Sequence, residues 1–243
     1  MHSRFHCVNI SKFAKKKNKT SYNDGLYPIG LLNSRNMKKI VLAAVILLSS
    51  LTPALAQHSV GSISIKPMVG LNIANITDLD DSDPRYGVAA GAEFEYQATD
   101  MFSLSFGALY SMQGAKGSLS YKGASVEATC KEDYINIPIL ANVYVAKGLA
   151  VKLGLQPGFN VNDKYHVKAG FAGFSGSGDF DPDEIGMPEA KSVDLSIPVG
   201  LSYEYSGFVL DARYNWGVTK LWGDNVDGKN SVFQISLGYK FDL

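Results

Sequence analysis

Cysteine is nearly absent from this chain: Cys7 and Cys130 are the only two in 243 residues. Histidine occurs four times and tryptophan twice. These scarcities exclude whole classes of function. Two cysteines build neither a disulfide framework nor a cysteine metal site. Nucleophilic catalysis that pairs Ser or Cys with His has little material to draw on. Long apolar runs are also missing. The longest, Ile40 to Leu51, has 12 residues before Thr52 and Pro53, well short of the ~20 that a spanning helix needs.

That short run has a meaning of its own. Met37-Lys38-Lys39 precedes it and Ala54-Leu55-Ala56-Gln57 follows it. A basic start, an apolar stretch and an Ala-x-Ala site predict a secretory signal over 37–56, cleaved near Ala56. Residues 1–36 carry Lys12, Lys15, Lys16, Lys17 and Lys19 without apolar periodicity. They are expected to be a misassigned start or a disordered extension. Residues 57–243 then form one domain. Of 23 basic and 23 acidic residues, nine basic and one acidic fall in 1–56, leaving 14 and 22, a formal net of −8. That balance argues against a nucleic-acid partner, which needs clustered Lys and Arg. Cys7 leaves with the leader, and Cys130, with no His nearby in sequence, reads as a loop residue rather than a nucleophile.

What the chain does have is alternation. Eight stretches place apolar residues at every second position, near 62–74, 86–97, 101–113, 133–145, 149–162, 192–205, 208–219 and 232–243. Period two kept over so many segments excludes amphipathic helices. The links alternate too. Ala98-Thr99-Asp100, Ala146-Lys147-Gly148 and Ser206-Gly207 are short, whereas 75–85, 114–132, 163–191 and 220–231 are long. Short turns at one rim and long loops at the other predict an all-β, eight-stranded, antiparallel up-and-down transmembrane barrel. In the last strand Phe233, Ile235, Leu237, Tyr239, Phe241 and Leu243 share a face. Residues 236–243 read as the segment that barrel-insertion machinery recognises.

The alternative is a soluble, lipocalin-like ligand-binding barrel with its apolar face inward. The bulk of the apolar face opposes it, because an eight-stranded interior is only just wide enough to be filled. The polar face instead carries small residues such as Gly91, Gly107, Gly154 and Gly200. Aromatics gather toward the strand ends, with Tyr96, Tyr205 and Phe208 at one rim and Tyr86, Tyr110 and Trp216 at the other, as interfacial girdles do.

The segment Tyr134-Ile135-Asn136-Ile137-Pro138-Ile139-Leu140 resembles a strand of PorT-type, "porin family" outer-membrane β-barrel proteins. Gly154-Leu155-Gln156-Pro157-Gly158-Phe159 and Leu237-Gly238-Tyr239-Lys240-Phe241 are similar to the same family. The resemblance covers 57–243. It implies a Gram-negative envelope location and a link to a secretion and gliding apparatus, and it brings no catalytic motif. The porin label fits poorly, since open channels need about sixteen strands.

Lys66, Glu93, Glu95, Lys152, Asp194, Glu204, Asp211, Arg213, Lys240 and Asp242 fall on the lumen face. Charges so enclosed must be paired, so a plug of ion pairs is expected. Glu204, Asp211 and Arg213 should meet if the 206–207 hairpin is tight. The long loops are acidic. Asp179, Asp181 and Asp183 have the alternate spacing of an EF-hand and suggest calcium, but Glu184 stands where Gly is needed and Ala190 where the bidentate Glu belongs. His166, Ser175, Ser177 and Asp163 form no recognisable catalytic motif, and no enzyme and no cofactor are expected. The reading is a monomeric barrel in outer-membrane lipid. It acts through surface loops toward a protein or glycan, or as envelope support, with a narrow solute channel as the alternative.

Overall fold

Every alternating stretch forms a strand. The computed structural model describes residues 59–77, 82–121, 124–171, 174–186, 189–222 and 228–243. The extension 1–36, the signal 37–56, Asp78, Asp80, Asp81, Asp224 and Asp227 lie outside the described residues. The strands are β1 (Ile63–Ile76), β2 (Ser82–Thr99), β3 (Phe102–Tyr121), β4 (Ala124–Asn136), β5 (Ile139–Ala146), β6 (Leu149–Phe171), β7 (Phe174–Phe180), β8 (Val193–Tyr205), β9 (Phe208–Gly217), β10 (Asn230–Tyr239) and β11 (Phe241–Asp242), with one helical turn, α1 (Pro182–Ile185), after β7.

These elements make an eight-membered antiparallel ring. Each of β1, β2 and β3 pairs with the next. β4 and β5 are one spanning strand interrupted at Pro138, which has no N–H to give the ladder; both halves pair with β3 in a single register and with β6 in a register that shifts at Asp133/Tyr134 and at Tyr144/Ala146. β6, β8, β9 and β10 follow, and β10 closes the ring on β1 from Met68↔Gly238 to Ile76↔Asn230. β11 continues β10 in the same register, with Ser64↔Asp242. Closure removes the open edges a sheet would otherwise present to lipid.

The apolar face points outward. Leu71, Tyr86, Phe106, Leu153, Leu201 and Trp216 are among the exposed large hydrophobics, while Lys66, Glu93 and Arg213 are 2% exposed or less. An apolar surface this extensive around a charged interior is stable only in a lipid environment, and the lipocalin-like alternative is excluded.

The short turns follow the sequence with one refinement. Ser206 and Gly207 both take positive φ, 50° and 82°, the conformation of a two-residue hairpin whose twist matches its strands. Tyr205 pairs with Phe208 across it. The other two links are tighter than three residues. Thr99 pairs with Phe102 and Ala146 with Leu149, and the extra residue forms a β-bulge at Ala98 and Val145.

Two expected loops are largely strand. β3 and β4 continue to Tyr121↔Ala124 across most of 114–132. β6 runs to Phe171 and turns back as β7, which pairs with β6 from Tyr165↔Phe180 to Phe171↔Phe174. Gly and Ser alternating over Ser175 to Gly178 hid this hairpin, because they leave β7 without an apolar face. The apolar cluster of Ile76, Ala115, Cys130, Tyr134, Tyr165, Leu221 and Trp222 sits at the mouth on this long-hairpin side. Cys130 is therefore a buried strand residue and not part of a loop.

Candidate functional site: the lumen and its outer mouth

Inward-facing charges form two clusters. Lys66 and Glu93 are ladder partners on β1 and β2, and their charged ends meet at 2.8 Å. Arg213 on β9 reaches Glu93 through Nη1 at 2.8 Å and Asp211 through Nε at 2.7 Å. Lys152 on β6 approaches Asp211 at 2.7 Å, and Lys66 lies 3.9 Å from it. Closer to the short-turn rim, Lys240 meets Glu95 at 3.1 Å and Glu204 at 2.9 Å. Glu95 also accepts hydrogen bonds from the Ser103 hydroxyl at 2.7 Å and from the Tyr144 hydroxyl. Lys240 donates to Tyr144 Oη at 3.1 Å.

Four cations thus face four carboxylates across the two clusters. Glycine makes the room. Glu93 pairs with Gly107 and Arg213 with Gly200. A Cβ on Gly107 would lie 2.8 Å from Glu93 Cγ, and one on Gly200 would lie 2.8 Å from Arg213 Cβ.

Of the lumen charges named from sequence, Asp194 and Asp242 stand outside these clusters. Asp194 accepts hydrogen bonds from Asn230 Nδ2 at 3.0 Å and from the Thr219 hydroxyl. Asp242 is exposed at the rim. Asp211 and Arg213 do meet, but Glu204 joins Lys240 instead of them. Parity assigns a residue to the lumen; the depth at which it finds partners across the lumen depends on the stagger of non-neighbouring strands. Arg85 was missed for a different reason, because 75–85 was expected to be a loop. It lies in β2, not in a loop, and its guanidinium meets Asp133 at 3.2 Å and the Gln113 carbonyl.

The calcium triplet does not assemble as one ligand set. Asp179 is held by Lys131 Nζ at 2.7 Å and His166 Nδ1 at 2.9 Å, and these partners, Lys131 first, keep its carboxyl below the usual carboxylate range. His166 thus faces Asp179, its ladder partner, rather than Asp163. The Asp181 N–H donates to Glu184 Oε2 at 3.2 Å as α1 begins. Asp181 and Asp183 instead line a cavity of about 430 Å³ with Asn160, Asp163 and Glu189.

At the mouth, Cys130, Glu132 and Asp163 bring one ligand atom each to within 4.8 Å of the others. Glu132 pairs with Gln113, three residues beyond Tyr110 of the outer aromatic ring, and so lies above the lipid-facing band. Burial, then the neighbouring Asp163 carboxylate, push Glu132 up to about 7, and burial also raises Asp163. No sequence spacing marked this group, since its members come from strands joined only by the ladder.

A closed eight-stranded ring with an apolar outer face, aromatic rims and a paired ionic interior defines a transmembrane β-barrel of the outer membrane. The chain belongs to the outer membrane protein beta-barrel domain family, whose profile matches residues 55–223. Among solved structures it is similar to Ail, the attachment invasion locus protein of Yersinia pestis, at 16% identity and TM-score 0.40, covering 75% of this chain and 100% of that one. It is similar to Neisserial surface protein A at 13% and 0.38, covering 74% and 97%. It is also similar to OprG of Pseudomonas aeruginosa at 15% and 0.37, covering 77% and 99%. No curated protein matches it by sequence. The protein resides in the outer membrane.

Proposed function

We propose that this protein is a non-enzymatic binding and envelope-structural component, whose contacts are made by the sheet it raises above the membrane around a closed lumen. The observation that supports this most is a single rung, Ser118–Glu127–Lys168–Ser177, which crosses β3, β4, β6 and β7 beyond the outer aromatic ring. These four residues line a shallow cleft of about 340 Å³ bearing hydroxyls, one acid and one base, a chemistry suited to a protein or glycan surface. β7 pairs only with β6 among the described residues, so its outer edge offers backbone donors and acceptors to an extended partner segment. The PorT-type resemblance would make that partner part of a secretion apparatus.

The test has two parts. A photo-crosslinker at Ser177, in cells displaying the full protein, should give a discrete adduct that the same probe at Lys147, on the short-turn rim, does not. In planar bilayers the protein should show no stepwise conductance. A wild-type protein that conducts, with no Ser177 adduct, would transfer the assignment to the narrow-channel reading. That second reading has its own support: Asn72 Oδ1, Asn142 Oδ1, Gln156 Oε1 and Asn230 Oδ1 are buried without a protein hydrogen-bond partner, so parts of the interior suit water.

A further inference from the structure

We propose that Cys130, Glu132 and Asp163 bind a divalent transition-metal ion of the zinc type, which enters through the acidic cavity at the barrel mouth. Glu132 and Asp163 are directly opposed ladder partners on β4 and β6, and Cys130 is two residues from Glu132. Like charges opposed on a ladder repel, and Glu132 is fully buried. Neither carboxylate has a Lys or Arg ion-pair partner among the described residues. Buried carboxylates persist where they are paired or coordinate a metal. Every other carboxylate pointing into the barrel with a cation near it takes that cation; this pair is left with a thiol.

The groups are also oriented. The Tyr134 hydroxyl donates to Glu132 Oε2 at 3.0 Å, and the Ala190 N–H donates to Asp163 Oδ2 at 2.7 Å. Such outer contacts fix ligating carboxylates in metal sites. They leave Asp163 Oδ1 buried with no hydrogen-bond partner. Cys130 Sγ lies 3.4 Å from Glu132 Oε1, close to the separation of about 3.5 Å between a sulfur and an oxygen bound to one tetrahedral zinc at ~2.3 and ~2.0 Å. Asp163 belongs both to this group and to the 430 Å³ cavity, whose other charged residues are Asp181, Asp183 and Glu189. The cavity is a negative funnel that ends at the donors. The sulfur ligand selects a zinc-like ion over calcium. The thiol proton leaves to solvent when the metal binds, and water completes the coordination. The sequence expectation of no cysteine metal site counted cysteines alone, whereas here one cysteine works with two carboxylates.

Metal-stripped full-length protein, refolded in detergent, is titrated with Zn²⁺ by calorimetry and with Co²⁺ by absorbance. One Zn²⁺ per chain and a cobalt–thiolate charge-transfer band are expected. Cys130→Ser should abolish the band, and Cys130→Ser and Asp163→Asn should each weaken Zn²⁺ by about tenfold or more, with Asp179→Asn unchanged. Folding of each variant is checked by heat-modifiability. A heat-modifiable wild type without the band overturns the proposal even if Glu132→Gln fails to fold. Zn²⁺ binding that survives Cys130→Ser but is lost in Asp183→Asn also overturns it, by placing the ion in the outer cavity alone.

Discussion

Asp211 Oδ1 receives Arg213 Nε at 2.7 Å, two residues along the same strand, while its Oδ2 receives Lys152 Nζ at 2.7 Å from β6. One carboxylate therefore ties three cations into the middle of the barrel, since Lys66 is 3.9 Å away.

Removing that carboxylate leaves buried cations short of a partner. Asp211→Ala should lower barrel stability by about 3–5 kcal/mol, as breaking a buried pair does. Replacing the group at once, as in Lys66→Met/Glu93→Leu/Lys152→Met/Asp211→Leu/Arg213→Met, should cost far less than the summed single changes. Urea unfolding followed by gel mobility measures both. A combined loss equal to the sum of the single losses would show that the charges act independently rather than as one network.

The glycine opposite Arg213 is a packing requirement. A Cβ at Gly200 would lie 2.6 Å from the Ala212 carbonyl oxygen and 2.8 Å from Arg213 Cβ. Gly200→Ala should destabilise by about 1–3 kcal/mol through overpacking. Gly176→Ala, on β7 with nothing within 4 Å of the added carbon, should be close to neutral in the same urea assay.

The outward face predicts a depth-dependent cost for charge. Leu153 is 55% exposed in the lipid-facing part of β6, and Val145 lies beside the short turn. Leu153→Arg should cost about 2–4 kcal/mol and Val145→Arg about 0–1 kcal/mol. Folding titrations into lipid vesicles compare them, and equal costs would contradict the placement of the bilayer.

The β6–β7 hairpin should respond to acid. Lys131 and then His166 hold Asp179 below its usual range. A depressed carboxyl contributes stability that is present above its unfolded value of about 3.9 and is lost as pH falls through the lower folded value. Amide exchange of β7 should therefore hold steady from neutral pH to about 5 and loosen below about 4, after correction for intrinsic rates. Asp179→Asn should lose that acid step. An unchanged step in the variant would assign it to another group.

Local alternation determined the faces of the barrel. Phe233 to Leu243 and the seven stretches before it each carry one apolar and one polar face, and a backbone with period two can satisfy that in lipid only as a closed sheet. The Ser206-Gly207 turn was equally legible, because parity across Tyr205 and Phe208 depends on neighbours in sequence. The return arm of the hairpin 165–180 was not legible: Ser175 to Gly178 give β7 no apolar stripe, and only pairing with β6 makes it strand. Nor could sequence say that Glu204 would meet Lys240 rather than Arg213, or that Cys130 and Glu132 would face Asp163. Those meetings are set by the stagger of strands far apart in the chain. Sequence fixes which side of a strand each residue occupies; only closure of the ring decides which residue it meets there.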